Sequence, residues 1–225
     1  MIKKLNALKN IRPHRFQKSV RSFCLLVFSL STFVLVGQNK FQKQLSAQHI
    51  EFISINGNQI FNISVTTSKT DDISVTSTLD GEYQNDFQMV IKEDKSTLNL
   101  SLEQLSFEAI PDDKRNAHKV IAATLHLEIP EQLKLQILSD VGSVNLIGTF
   151  KSLFVELKQG QCKVKGDVKT ATINTLDGDI TIWTKSANVE ASSNHGKVIL
   201  DEFSMSNSTW NLTSINGNIT VVKTD

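Results

Sequence analysis

Residues 171–182 read Ala171-Thr172-Ile173-Asn174-Thr175-Leu176-Asp177-Gly178-Asp179-Ile180-Thr181-Ile182. Apolar side chains stand two apart on either side of a polar turn, at Ala171 and Ile173 and again at Ile180 and Ile182. A spacing of two puts side chains on one face of a β-strand. The unit recurs: glycines fall at Gly142, Gly160, Gly178 and Gly196, each 18 positions after the last, and Gly217 follows after 21.

Aligned on those glycines, the units form apolar columns. Leu135, Leu153, Ala171, Val189 and Trp210 share one column, and Ile137, Val155, Ile173, Ala191 and Leu212 the next. Beyond the turn come Val144, Cys162, Ile180, Val198 and Ile219, then Leu146, Val164, Ile182, Leu200 and Val221. The places between are mostly polar, such as Gln136, Asn145, Lys163, Asn174, Thr181 and Glu190. Glycine suits the turn because it takes positive φ without a Cβ clash. A unit this short cannot bury its apolar face alone, but stacked units turn each column into a ladder of like side chains. The expected fold is all-β, a parallel β-solenoid of about five rungs over residues 119–225. A sandwich of hairpins is the alternative, but hairpins supply no reason to keep an 18-residue register.

The lead-in Leu125-His126-Leu127-Glu128-Ile129-Pro130 is followed by Leu133-Lys134-Leu135-Gln136-Ile137. With the units Asp177-Gly178-Asp179-Ile180 and Asn216-Gly217-Asn218-Ile219, it resembles the bacterial adhesin-like β-solenoid family, whose members include envelope-stress proteins. The resemblance covers residues 119–225 well and 49–118 loosely. It implies a fold and an envelope setting, and it carries over no catalytic residues.

The first 22 residues hold seven basic side chains and no acid, and an apolar run follows from Phe23 to Val36, ending at Gly37-Gln38. A basic start, a short apolar run and a small residue describe a secretory signal, predicted here as residues 1–37. A membrane span needs about 20 apolar residues. An uncleaved anchor is the rival reading, because Leu35 suits cleavage poorly. Cys24 opens the apolar run instead of closing it, which argues against lipoprotein processing. The net charge is +1 overall; without the seven leader cations, 17 basic and 23 acidic residues remain, near −6. No basic patch of the kind that binds nucleic acid survives. Cys162 is then the single cysteine, so no intramolecular disulfide is expected, and its column places it inside.

Residues 39–48 are polar and are expected to be a frayed lead-in. Strands are expected from Ile60 to Val65 and from Ile73. A hairpin pairs Phe87, Met89 and Ile91 with Leu98, Leu100 and Leu102 across Glu93-Asp94-Lys95-Ser96. Gln104 to Lys119, with Pro111-Asp112-Asp113, is expected to be a long loop. Ile121, Ala123, Leu125, Leu127 and Ile129 then alternate into the first unit. Residues 38–118 are thus predicted to be an antiparallel region capping one end of the solenoid, with Phe203 and Trp210 closing the other.

Chemistry is sparse. Solenoids can host carbohydrate-active enzymes, which need convergent carboxylates or an acid–base pair. The densest polar ridge is at the glycine turns, where stacking in chain order sets Asp177 and Asp179 over His195 and Lys197, with Asn216 and Asn218 close by. Asp, Asn and Gly are also the ordinary residues of turns. His49, His118, His126 and His195 lack zinc-ligand spacing, and no phosphate loop, nucleophile elbow or dinucleotide fingerprint occurs. Trp183 falls one place beyond an inward position and should face outward, where it could stack on a sugar. No cofactor is expected. The expected function is an exported, non-catalytic binding module of the cell envelope, its partner an envelope polysaccharide or another envelope protein. A carbohydrate-active enzyme working at the ridge and a self-assembling structural protein are the alternatives.

Overall fold

The computed structural model describes residues 39–81, 84–105 and 122–225. The predicted leader (1–37), His118 and most of the expected loop with Pro111-Asp112-Asp113 lie outside the described residues. The described residues form one compact unit. Among the described residues there are strands and a single 3₁₀ turn at Gln84–Asp86, with no α-helix.

The chain is all-β, with one large mixed sheet that is not closed into a barrel. The strands are β1 (Asn39–Ser46), β2 (Phe52–Asn56), β3 (Ile60–Ser68), β4 (Asp72–Asp80), β5 (Phe87–Asp94), β6 (Thr97–Gln104) and β7 (Ala122–Pro130). The glycine units supply β8 (Lys134–Val141), β9 (Ser143–Gln159), β10 (Cys162–Asp177), β11 (Ile180–Thr184) and β12 (Asn188–Ser193). They end with β13 (Val198–Leu200), β14 (Thr209–Ser214) and β15 (Ile219–Lys223).

The 18-residue register is the pairing register. Cys162 opposes Val144 and Ile180 in parallel, and Ile173 opposes Val155. The long strands β9 and β10 each join two ladders. Their first halves pair alongside β3, β11, β15 and β13, and their second halves alongside β8, β14 and β12. Burial alternates as the period of two demands: β7 runs exposed-buried from Ala122 to Ile129, with Ala123, Leu125, Leu127 and Ile129 nearly inaccessible. The buried side chains of both ladders form one core, which includes Cys162, Ile180, Ile182 and Trp210. Fully burying a side chain such as isoleucine is worth roughly 1.5–3 kcal/mol, so the columns carry most of the stability.

The stacking order departs from the chain order. The last unit (β14–β15) lies between the third (β10–β11) and the fourth (β12–β13). β14 pairs with β10 on one side and β12 on the other, and β15 with β11 and β13. The chain therefore steps over one level between Thr184 and Asn188, then returns through residues 201–208. The expectation that Trp210 closes the far end is corrected accordingly, while Phe203 packs against the core beside Ala187, Val189 and Leu200 of the terminal level. Trp210 is fully buried inside the stack, and the terminal level is β12–β13.

The same inversion occurs at the other end. β2 and β3 pair in parallel with β8 and β9, and β6 and β7 lie outside them. Where an antiparallel region was expected, β2, β3 and β6 thus supply parallel pairings alongside the antiparallel ones. The antiparallel pairings are β5 with β6, β4 with β7, and β1 with β4. The β5–β6 hairpin turns at Lys95, which takes a φ of 55°. Residues 39–46, expected to fray, form the edge strand β1, because Phe41 and Leu45 alternate toward the core and pack against it.

Candidate functional site

The glycine-turn ridge is built by the sequence itself. Three residues before the glycine stand Ser139, Thr175, Ser193 and Ser214, hydroxyls that fasten four of the five turns from inside, with Leu157 in that place before Gly160. Thr175 donates to the Gly178 carbonyl at 2.8 Å and shares a 2.9 Å hydrogen bond with Ser214. Ser214 in turn accepts the Gly217 N–H at 2.8 Å. Ser193 accepts the Gly196 N–H at 2.9 Å and donates to the Gly217 carbonyl at 2.7 Å. Sequence reading missed this column because serine and threonine in a polar turn look like ordinary turn residues.

The inserted unit rearranges the ridge. Asn216 and Asn218 lie between Asp177 and Asp179 on one side and His195 and Lys197 on the other, and the direct Asp–His juxtaposition expected from chain order does not occur. Asp179 accepts hydrogen bonds from the Asn218 backbone N–H (2.7 Å) and side-chain amide (3.3 Å). The Asn218 side-chain oxygen accepts the Lys197 N–H at 2.9 Å. His195 donates from Nδ1 to the Asn216 side-chain oxygen at 2.8 Å. Two ladder spacings, about 9–10 Å, separate the aspartate level from the histidine level. That separation is too wide for a direct acid–base pair, which needs hydrogen-bond reach. Asp179, Asn216 and Asn218 thus bind neighbouring turns, as Asn58 does when its side chain accepts the Asp140 N–H at 3.0 Å. Among the described residues, no group of three or more His, Cys, Asp and Glu converges into a metal-ligating cluster.

The outer face of the first ladder is a second candidate surface. Ile147, Lys165, Trp183 and Val222 occupy one outward row, each opposite the next in the parallel register. Ile147 is exposed, and Trp183 and Val222 are half-buried. Beside them runs Asn145, Lys163, Thr181, Thr220 and Ile199. The row is apolar and aromatic with a cation on it, a combination that can stack on a ring and hydrogen-bond its edge. Trp183 faces outward as its position predicted.

At the opposite corner a cavity of about 300 Å³ lies among Gln132, Phe150, Asp167, Lys169, Ser206 and Ser208. The corner bends at Gly148 and Gly166, also 18 apart, with φ of 123° and 145°. That second glycine pair was the available signal for this corner. Ser208 anchors the returning loop here, donating to the Val168 carbonyl and accepting from the Trp210 indole N–H at 3.0 Å. Cys162 sits in the core, where burial pushes its thiol up to about 12.

No family model and no curated protein matches this chain. Solved structures do. A "putative cell adhesion protein" from Clostridium sporogenes superposes with a TM-score of 0.60 at 11% identity, covering 84% of this chain and 100% of its own. A "putative adhesin" from Bacteroides fragilis aligns at 13% identity over 83% of this chain and 98% of its own, with a TM-score of 0.38. A "putative lipid binding protein" from Parabacteroides distasonis aligns at 10% identity over 82% and 97%, with a TM-score of 0.27. At these identities the likeness concerns fold, and the first carries it: the chain shares the architecture of the Clostridium sporogenes protein along that protein's whole length.

Proposed function

We propose that this chain is an exported, adhesin-like binding module of the cell envelope, built as a parallel β-solenoid and working through its outer surface without catalysis. Its partner class is an envelope or extracellular polysaccharide. The observation that carries this reading is the outward row of Ile147, Lys165, Trp183 and Val222, an apolar and aromatic surface on which a sugar ring can stack. The ridge agrees with it, since Asp179, Asn216 and Asn218 spend their hydrogen bonds on adjacent turns. The fold likeness to a protein described as a cell adhesion protein points the same way.

The test is one incubation with a panel of envelope polysaccharides, scored for co-sedimentation and for newly released chain ends. Retention without release is the expected result, and Trp183→Ala should weaken retention roughly threefold to tenfold, the worth of one aromatic contact. Released product that disappears in Asp177→Asn would replace the binding module with an enzyme working at the ridge.

A further inference from the structure

The two ends of the stack are finished differently. At one end the edge strand β1 carries exposed Lys40 and Lys43, and β5 carries exposed Lys92, Glu93 and Asp94, charges that discourage further pairing. At the other end β12 and β13 have no partner on their outer side among the described residues. The β13 edge is Lys197-Val198-Ile199-Leu200-Asp201. Its three apolar residues are 39%, 56% and 42% exposed, although Val198 and Leu200 belong to inward columns. Beside it Phe203 lies with Ala187, Val189 and Leu200 around an open groove, with Glu190 and Asp201 among its lining residues.

We infer that this edge pairs with the same edge of a second copy, giving a closed two-fold dimer. The register follows from the backbone. The Asp201 N–H bonds to Val221, and the Lys197 carbonyl accepts from Ile219. By the alternation of a strand, Lys197, Ile199 and Asp201 turn their backbone groups toward β15, while Val198 and Leu200 turn theirs outward. Antiparallel pairing of two such edges joins Val198 to Leu200 of the second copy through both backbone hydrogen bonds, and Leu200 to its Val198. The pairing centres on Ile199 facing Ile199, and it sets Lys197 opposite Asp201 of the second copy twice over. Opposite charges directly across an antiparallel pair are favourable, and like charges there are not. The Asp201 carboxylate accepts the Lys223 N–H at Oδ2 and keeps its other oxygen for the lysine, so this edge is complementary to itself in hydrogen bonding and charge, as an isologous interface requires.

The other ladder agrees. Asn188 and Asn194 bond their N–H groups to Ser208 and Ser214, so Val189, Ala191 and Ser193 turn outward and an antiparallel pairing there centres on Ala191. Ala191 and Ile199 each lie four residues from His195 at the turn, so one two-fold axis can pass through both centres. That axis keeps the outer faces of both copies on one side, with two Trp183 rows available to one extended ligand. The dimer stands whether or not those rows bind sugar.

The test is disulfide trapping in the full chain with Cys24→Ser. Two facing residues of a non-hydrogen-bonded pair have Cα atoms about 4.5 Å apart, within the range a disulfide spans. Ile199→Cys should therefore form a covalent dimer under mild oxidation at least about tenfold faster than Lys163→Cys, an exposed position in the same outward row. Adding Lys197→Asp should abolish that advantage, and adding Asp201→Lys to it should restore the advantage by exchanging the two charges. Equal trapping at positions 199 and 163 overturns the dimer. So does a charge-exchanged variant that melts like its parent yet fails to recover trapping.

Discussion

Glycine in the turn column is required more by its neighbours than by its own dihedral. Gly142 and Gly160 take φ of 147° and 126°, whereas Gly178 and Gly217 do not have positive φ in that range. A Cβ on Gly178 would nevertheless stand 1.8 Å from the Gly160 carbonyl oxygen, and one on Gly217 would stand 1.9 Å from that of Gly178. Each glycine makes room for the backbone of the next level, so a methyl group must push the ladder apart. Gly178→Ala should cost about 3 kcal/mol or more, the upper end for overpacking. Asp179→Ala, which loses exposed hydrogen bonds, should cost about 1 kcal/mol; urea melts of both variants measure the difference. Cys162 offers a second check at this scale. Burial raises its folded pKa to about 12, so above the ordinary thiol range, near pH 9, the unfolded state releases a proton that the folded state keeps. Stability from this group is complete below about pH 9 and is lost as the pH rises toward 12. Cys162→Val should flatten the alkaline fall in Tm relative to the parent, and parallel curves would contradict the buried thiol.

At the scale of the element, the strands of the glycine units, their faces and their register were legible, because a period of two inside a period of 18 leaves few alternatives, whereas β1 and β2 lie outside the repeat and were not. The order of the units was not. Their inward columns are chemically alike, so a β14 strand fits against β10 as well as β12 does, and local pattern cannot rank the two. Two signs point to the answer. The step of 21 leaves room for the returning loop, and Trp210 is the largest side chain of its column. A fully buried Trp210 belongs at an interior level, while Val189 and Ala191 of the terminal level are half-buried. Trp210→Ala should therefore cost about 3–5 kcal/mol, and Val189→Ala about 1 kcal/mol or less. Comparable losses in equilibrium unfolding would restore the chain order 3-4-5. The ridge shows the same limit. Its six side chains lie at the turns that the pattern assigns them, but their adjacency depended on the inserted unit.

For the whole molecule, the inserted unit means that β14 and β15, the last strands in sequence, do not end the stack. β14 and β15 are flanked on both sides, and β12 and β13 on one. In a monomer held apart by Lys197→Asp, amide exchange should accordingly be slower in residues 209–214 and 219–223 than in 188–193 and 198–200, reversing the fraying expected of the last strands in sequence. Faster exchange in the last strands than in β12 and β13 would contradict the order. By itself the sequence determined the all-β class, the 18-residue ladder, the inward columns with Cys162 among them, and the outward Trp183. Each of these follows from side-chain alternation, which is local and repeated. Only the tertiary structure decided which unit lies beside which, where Asn216 and Asn218 intervene in the ridge, and which edge is left bare. Those depend on how the connecting loops route equivalent units, and equivalence is what a repeat cannot resolve from within.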